Sequence, residues 1–257
     1  MDFEGRKRFI LNRLEKAGSV LIQDISDHCH VSDVTARRDL ATIEGQGLLS
    51  RIHGGAVKTR SADAMFSYDR KALHNRDRKM MISAAAASFI QEHDSIYLDC
   101  GTTVYHLSSF ISRFRALSVI TNSLPVVSEL IFHPGIRVYL LGGELDNERR
   151  AMYGPMSEHM IRYYRARKAF IGTGGVSLAD GLSAGNEKEA SITRMMAEAA
   201  DTVYLLCDSS KIEKNAFVHY APLDMIDYLV TDQMVPELIS AYEKRNIKVV
   251  IPENSKL

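Results

Sequence analysis

Excess charge of either sign is missing: 32 Lys and Arg balance 32 Asp and Glu, for a formal net charge of zero. That excludes a chain coated in basic residues or carrying a long acidic tail, so a polyanion would have to be met by a local patch. Cysteine is scarce. Cys29, Cys100 and Cys207 stand far apart and are odd in number, which supports neither a disulfide framework nor a Cys-x-x-Cys metal motif. Cys100 and Cys207 fall at the ends of expected strands and read as small buried hydrophobes. His28-Cys29-His30 lacks a second ligand cluster, so no metal site is expected. No apolar run approaches the roughly 18 residues of a membrane span. The charged start Met1-Asp2-Phe3-Glu4-Gly5-Arg6-Lys7-Arg8 is unlike a signal peptide, so a cytoplasmic protein without membrane association is expected. No repeat of fixed period and no low-complexity tract occurs.

What is present is an ordinary globular composition, 46% hydrophobic and 25% charged over 257 residues, enough for a small domain and a medium one. The most informative stretch is Val31–Ala56, V-S-D-V-T-A-R-R-D-L-A-T-I-E-G-Q-G-L-L-S-R-I-H-G-G-A. Ser32 can accept from first-turn N–H groups as an N-cap, and Asp33 suits the positive end of the helix dipole. Stepping about 100° per residue from Thr35 gathers Ala36, Leu40 and Ile43 into one narrow stripe and puts Arg38 at about 300°, almost opposite. Thr35 and Thr42 flank Arg38 on one side, Arg37 on the other. An arginine fork can contact guanine O6 and N7 together, and threonines can reach bases or phosphates. The outward face therefore carries what a DNA major groove needs, while two arginines on a plain solvated face remain the simpler alternative.

Gly45 and Gly47 end this helix. Leu48–Ile52 has strand character and His53-Gly54-Gly55-Ala56 is a turn, so a helix followed by a small basic hairpin indicates a winged helix-turn-helix. Residues 34–60 hold Arg37, Arg38, Arg51, Lys58 and Arg60 against Asp39 and Glu44. So modest a patch implies few phosphate contacts, reinforced by dimerisation. The candidate DNA contacts are Ser32, Thr35, Arg37, Arg38, Thr42, Arg51, His53, Gly54 and Gly55. Upstream, helical spacing predicts helices over Arg6–Ala17 and Ile22–His28.

Residues 58–78 are polar, with scattered Met65, Phe66, Tyr68 and Leu73, and read as a connecting segment, either flexible or partly helical. From Lys79 the pattern alternates: helix Met81–Ile90, strand Ser95–Asp99, helix to Ser112, strand Leu117–Thr121, helix Leu124–Ile131 and strand Ile136–Leu141. A helix Met156–Arg165, strand Lys168–Gly172, helix Lys188–Ala199 and strand Val203–Cys207 follow. Strand Tyr228–Thr231, helix Pro236–Lys244 and strand Lys248–Ile251 finish the chain. Such alternation implies an α/β fold with a mostly parallel sheet covered on both faces. The expected organisation is a winged helix-turn-helix over 1–57, a linker over 58–78 and a sheet domain over 79–257.

Ligand loops of such sheets lie beyond the carboxyl ends of the strands. Five candidates occur: Asp99-Cys100-Gly101-Thr102-Thr103, Thr121-Asn122-Ser123, Gly142-Gly143-Glu144, Gly172-Thr173-Gly174-Gly175 and Asp208-Ser209-Ser210-Lys211. Glycine backbones and helix N-termini favour an anion. Thr102, Thr103 and Ser123 add hydroxyls, Lys211 a point charge, and Asp99 and Asp208 acceptors for sugar hydroxyls. The sum describes a small phosphorylated polyol. Each piece alone could be a plain turn or cap. Gly172-x-Gly174-Gly175 does not complete G-x-G-x-x-G, because Ser177 follows, so neither a dinucleotide nor any other cofactor is expected.

Val31-Ser32-x-x-Thr35-x-Arg37-Arg38-Asp39-Leu40, with Glu44, Gly47-Leu48-Leu49, Arg51 and His53-Gly54-Gly55-Ala56, resembles the N-terminal signature of the DeoR family of bacterial transcriptional regulators. Ala36 departs from it, the family usually having a larger aliphatic residue there. The five loops, together with Ala169-Phe170-Ile171-Gly172, Gly181-Leu182, Asn186-Glu187-x-Glu189-Ala190 and Thr231-Asp232, are similar in order to that family's sensor domain. Ser183 stands where Thr is more usual and keeps the hydroxyl. The resemblance implies a sensor domain related in fold to sugar-phosphate isomerases. Effector contacts are then expected from Asp99, Gly101, Thr102, Thr103, Thr121, Asn122, Ser123, Gly142, Gly143, Gly172, Glu187, Asp208 and Lys211. The expected function is a repressor of a carbohydrate-utilisation operon that binds double-stranded operator DNA as a homodimer or homotetramer and answers to a phosphorylated sugar or sugar alcohol. Two other functions stay open. One is a sugar-phosphate isomerase or deaminase with an appended DNA module, since Glu187, Asp99 and Asp208 could serve as bases; the other is a constitutive DNA-binding protein.

Overall fold

The computed structural model describes residues 1–58 and 68–252. The chain folds into two compact units, Met1–Arg70 and Lys71–Leu257. The first contains α1 (Phe3–Ala17), β1 (Ser19–Leu21), α2 (Ile22–Cys29), α3 (Asp33–Gly45), β2 (Ser50–Ile52) and β3 (Gly55–Val57). The Asp2 carboxylate caps α1, accepting from the Gly5 N–H at 2.9 Å. Each helix gives one apolar stripe to a shared core: Ile10 and Leu14, then Ile22, Ile25 and Cys29, then Ala36, Leu40 and Ile43. Leu48 and Leu49 close that core. Two consecutive side chains cannot face the same side of a strand, which is why the strand expected from Leu48 begins only at Ser50.

The wing sheet has the order β1-β3-β2, all antiparallel. Strand β1 gave no signal in the sequence, being three residues after Gly18. Gly55 lets it dock: a side chain there would lie 2.1 Å from the Val20 carbonyl oxygen.

The second unit opens with α4 (Arg76–Ala87), β4 (Ser95–Leu98), α5 (Thr102–Ile111), β5 (Leu117–Thr121), α6 (Leu124–Leu130) and β6 (Ile136–Leu140). A hairpin of β7 (Glu144–Asp146) and β8 (Ala151–Tyr153), then α7 (Pro155–Ile161), returns the chain to β9 (Ala166–Ile171). There follow β10 (Gly175–Ser177), β11 (Gly181–Ala184), α8 (Glu187–Glu198), β12 (Ala200–Leu206), β13 (Val218–Ala221), β14 (Tyr228–Val230), α9 (Pro236–Glu243) and β15 (Lys248–Val250).

The main sheet runs β15-β14-β12-β9-β4-β5-β6 with every neighbouring pair parallel. Alternate residues serve opposite faces. Ile96, Leu98 and Phe170 pack under Ile82, Ala86, Val104, Leu107 and Val126 of α4, α5 and α6. On the other face Tyr97, Ala169 and Ile171 pack under Ile161, Ile192, Met196 and Tyr242 of α7, α8 and α9. The fold is thus α/β and doubly wound, and its winding reverses between β4 and β9, which pair with Tyr97 opposite Ala169 and Leu98 opposite Phe170.

One expected boundary shifts and two small sheets are new. The helix expected over Met81–Ile90 is α4, starting at Arg76, so residues 76–78 are helix rather than linker. Residues 68–73 are also helical; Arg60, Met65 and Phe66 fall outside the described residues. The antiparallel sheet β10-β11-β13 and the β7-β8 hairpin were not anticipated. Their three- and four-residue strands are too short to display a period of two.

Candidate DNA-reading helix and effector crevice

Ser32 caps α3 through its hydroxyl, which accepts from the Thr35 N–H at 3.3 Å. With Ala36, Leu40 and Ile43 buried, the helix turns Val34, Arg37, Arg38, Ala41 and Thr42 to solvent. The threonine hydroxyls are engaged within the helix: Thr35 Oγ1 lies 3.0 Å from Ser32 Oγ, and Thr42 Oγ1 donates to the Arg38 carbonyl at 3.0 Å. Arg37 and Arg38 are left as exposed cations on this face.

The acids among these cations are already paired. Asp39, buried on the core side, takes the Arg6 guanidinium in a fork, Nε to Oδ2 at 2.6 Å and Nη2 to Oδ1 at 3.2 Å. That hydrogen bond is the main reason the Arg6 pKa is raised. Glu44 accepts from the Arg51 backbone N–H at 2.8 Å and from its Nε at 2.5 Å, and these two bonds hold its pKa down. Arg51 is therefore half of an ion pair, with its charge partly offset. His53 is exposed in the wing turn, where Gly54 adopts φ 87°. Gly55 is buried, so its place in the motif is explained by strand packing.

In the second unit the expected loops gather at the carboxyl ends of the strands, and two of them flank the point where the winding reverses, the usual ligand crevice of such a sheet. Gly101 and Gly172 lie back to back there; a side chain on Gly101 would meet the Gly172 Cα at 3.5 Å. That is an ordinary contact, so the fold does not demand glycine at either position, and the small residues leave room. Asp99 is buried between them. Its Oδ1 accepts from the Cys100 N–H at 2.7 Å, and its Oδ2 from the Gly172 N–H at 3.0 Å and the Thr193 hydroxyl at 3.3 Å. Burial pushes its carboxyl above the usual range. Thr102 and Thr103 form the first turn of α5, with Gly101 as N-cap, and free N–H groups at such a start favour an anion.

Cations converge on that helix start. Lys211 Nζ donates to the Thr173 carbonyl at 2.7 Å. Lys79, which is 3% exposed, donates to Thr102 Oγ1 at 3.0 Å and also to the Lys71 carbonyl. Burial, then the charge of Lys211, lowers its pKa to about 8. Lys71 is lowered by burial and then by Arg149. Asp208 caps the turn Ser209–Lys211 and accepts from the Ser210 N–H at 3.1 Å and from Asn75 Nδ2 at 3.3 Å. Burial raises its pKa, but the Ser210 hydroxyl and Lys211 outweigh that and leave it lowered. His106, one turn beyond Thr102, is buried and bonds the Ala72 backbone. Burial, then Lys79, depresses its pKa.

Other expected contacts also make bonds within the fold, although the buried Asn122 Oδ1 has no partner among the described residues. Thr121 Oγ1 accepts from the Ser123 N–H at 3.1 Å, Ser123 caps α6, and Asn122 Nδ2 donates to the Met152 carbonyl at 3.0 Å. Gly143, at φ 149°, packs so that a side chain would lie 2.3 Å from the Tyr153 carbonyl oxygen, whereas a side chain on Gly142 would meet only Met160 Sδ, at 3.8 Å. Glu187 is exposed at the start of α8, whereas Glu189, two residues on, pairs with Arg149 at 2.7 Å.

Lys79, Lys71 and Arg149 were not among the expected site residues, and Glu189 entered only as part of a motif. Lys79 carried a signal: it shares the inward face of α4 with Ile82, Ser83 and Ala86, and a lysine at an apolar position of an amphipathic helix marks a buried charge.

Residues 6–62 match the family model described as DeoR-like helix-turn-helix domain, and residues 74–233 match that of the DeoR C terminal sensor domain. The chain belongs to the DeoR family of transcriptional regulators. Its relatives include the lactose phosphotransferase system repressor of Staphylococcus epidermidis, 37% identical over 87% of this chain and 89% of that one. The HTH-type transcriptional repressor GlcR of Bacillus subtilis is 32% identical over 98% of each chain. Among solved structures, ribose 5-phosphate isomerase A of Methanocaldococcus jannaschii aligns at TM-score 0.41 and 18% identity, over 55% of this chain and 56% of that one. As a DeoR-family regulator the protein binds DNA through its helix-turn-helix unit and carries a sensor unit for a small molecule. Among the described residues no helix is long and apolar enough to cross a membrane.

Proposed function

We propose that this DeoR-family regulator is a repressor of a carbohydrate-utilisation operon, released from its operator by a phosphorylated sugar or sugar alcohol. The α3 face reads DNA, and the crevice between β4 and β9 takes the phosphate. Lys79 carries this assignment. A buried ammonium is costly to hold, and among the described residues Lys79 makes no ion pair. It stands instead beside Thr102 at the start of α5, with Lys211 close enough for its charge to be felt. Asp208 offsets part of the ammonium charge from a distance, and a phosphate dianion supplies the rest, with Lys79, Lys211 and the α5 N–H groups as its partners.

The same site holds the chain that leads in from residue 71. Lys79 bonds the Lys71 carbonyl, His106 the Ala72 backbone, and Asp208 the Asn75 side chain. A ligand that draws on Lys79 competes with the first of these tethers. That gives it the differential interaction with two states that any induced change requires.

Binding rather than turnover fits Asp99. Both oxygens of Asp99 are occupied by backbone and hydroxyl donors, so it is poorly placed to take a proton from a substrate carbon. A panel of phosphorylated sugars should contain one that raises the melting midpoint and releases operator in a gel shift. Product formation from that sugar at enzymatic rates would sink the regulator-only assignment in favour of an isomerase or deaminase. The modest local charge of the α3 face calls for paired half-sites about one or more helical turns apart. Light scattering is therefore expected to show a dimer or tetramer, and a monomer that binds operator tightly would contradict it.

A further inference from the structure

The outward face of α3 is less polar than its sequence suggests. Val34, in the first turn, is 76% exposed, although its neighbour Ala36 is fully buried. Val34 and Arg38 are one turn apart and so stand one above the other. Ala41, three residues beyond Arg38, is also exposed. The two hydroxyls that flank Arg38 are already bonded within the helix and its cap, Thr35 to Ser32 and Thr42 to the Arg38 carbonyl. What this face offers a ligand is an arginine among valine, alanine and threonine methyl groups. Among the described residues of the N-terminal unit nothing explains an exposed β-branched residue at that place: the core stripe is complete without it.

In a major groove the apolar group that marks a base pair is the C5-methyl of thymine. We infer that Val34 is a specificity-determining residue, packing on a thymine methyl next to the base that Arg38 contacts. This rests on α3 being the DNA-reading helix. A half-site for this protein then combines a guanine with at least one neighbouring thymine, and the thymine is recognised by its methyl group alone.

The test uses the full chain and a duplex enriched by it from random-sequence DNA, with each thymine of one half-site replaced singly by deoxyuridine. One replacement is expected to weaken wild-type binding roughly three- to fivefold, the worth of one buried methyl group. Val34→Ala should bind the unmodified duplex correspondingly less well and be indifferent to that same replacement. As Val34 is exposed, the variant should melt with the wild type. Wild-type binding indifferent to every replacement would overturn the inference, and so would Val34→Ala retaining the full uridine penalty. Arg38→Ala, measured on the same duplex, reports separately on the helix. It should lose roughly 5- to 150-fold and relax base preference at one position. If Arg38→Ala binds as the wild type does, α3 is not the reading helix; if only the uridine series is flat, the helix assignment stands and the role of Val34 falls.

Discussion

Lys79→Met is expected to lose roughly 10- to 150-fold in affinity for the sugar phosphate, the worth of a hydrogen bond to a charged group at about 1.5–3 kcal/mol, without losing thermal stability. The two halves of this result have one cause. In the free protein the Lys79 ammonium is buried and makes no ion pair among the described residues, so an unbranched apolar chain of similar length removes a cost along with a charge. In the complex the same charge faces a phosphate, and its removal is pure loss. Calorimetry with the sugar identified by thermal shift, alongside a melting curve, reads both. A variant that melts well below wild type while binding the sugar unchanged would show that Lys79 is a structural residue.

The pH dependence follows with a definite sign. Lys79 titrates at about 8, below the ordinary 10.5 of a lysine. Between those values the unfolded chain binds more protons than the folded one, so the contribution of this group to stability rises with pH across that window. Below about pH 8 the cost of the buried charge is present in full. Effector affinity runs the other way. The ligand phosphate is a dianion above about pH 6, and Lys79 keeps its charge below about 8. Wild-type affinity should therefore peak between these limits and fall on the alkaline side, and Lys79→Met should lack that alkaline limb. A wild-type profile flat from pH 7 to 9.5 would remove Lys79 from the phosphate site.

Much of this arrangement was legible before the structure, for reasons that differ between the units. The α3 stripe of Ala36, Leu40 and Ile43 is narrow and capped, so its register fixed which residues face outward. The paired acids were less legible. Asp39 and Glu44 count as surface charge in a sequence, and only the fold brings Arg6 to the first and Arg51 to the second. In the sensor unit, strand alternation gave the parallel sheet, and the rule of carboxyl-end loops gave Asp99, Gly101, Thr102, Gly172 and Asp208 at or beside the crevice. Thr121, Asn122 and Ser123 belong to the same set of loops, yet their side chains cap and fasten, because a strand end feeding a helix needs those bonds whatever it binds. Lys79 was hidden for a different reason. It lies where a polar connector passes into α4, and a lysine among charged neighbours looks solvated until the helix register shows it sharing a face with Ile82 and Ala86.

Operator-bound protein is expected to bind the sugar phosphate more weakly than free protein, by a factor that, multiplied over the effector sites of the bound oligomer, equals the factor with which saturating sugar phosphate weakens operator binding. Allosteric coupling of ordinary size is about 1–3 kcal/mol, or roughly 5- to 150-fold, and linkage requires it to be reciprocal. In this chain the coupling has a candidate carrier. The Lys79 ammonium serves Thr102 at the start of α5 and the carbonyl of Lys71 at the end of the connecting chain, and a phosphate that engages it favours whichever state leaves the Lys71 carbonyl free. On the proposed inducer model, operator binding favours the other state. The measurement is effector affinity by calorimetry with and without a saturating operator duplex, set against operator affinity with and without saturating effector. A ratio of one in both would leave the sensor unit silent and make the protein a constitutive DNA binder. Ratios of equal size but opposite sense, with effector tightening operator binding, would make the sugar phosphate a co-repressor or an activating ligand at the same crevice. Because both ratios come from equilibrium affinities of one wild-type protein, a mismatch beyond the number of effector sites in the oligomer would point to a second effector site outside the β4–β9 crevice.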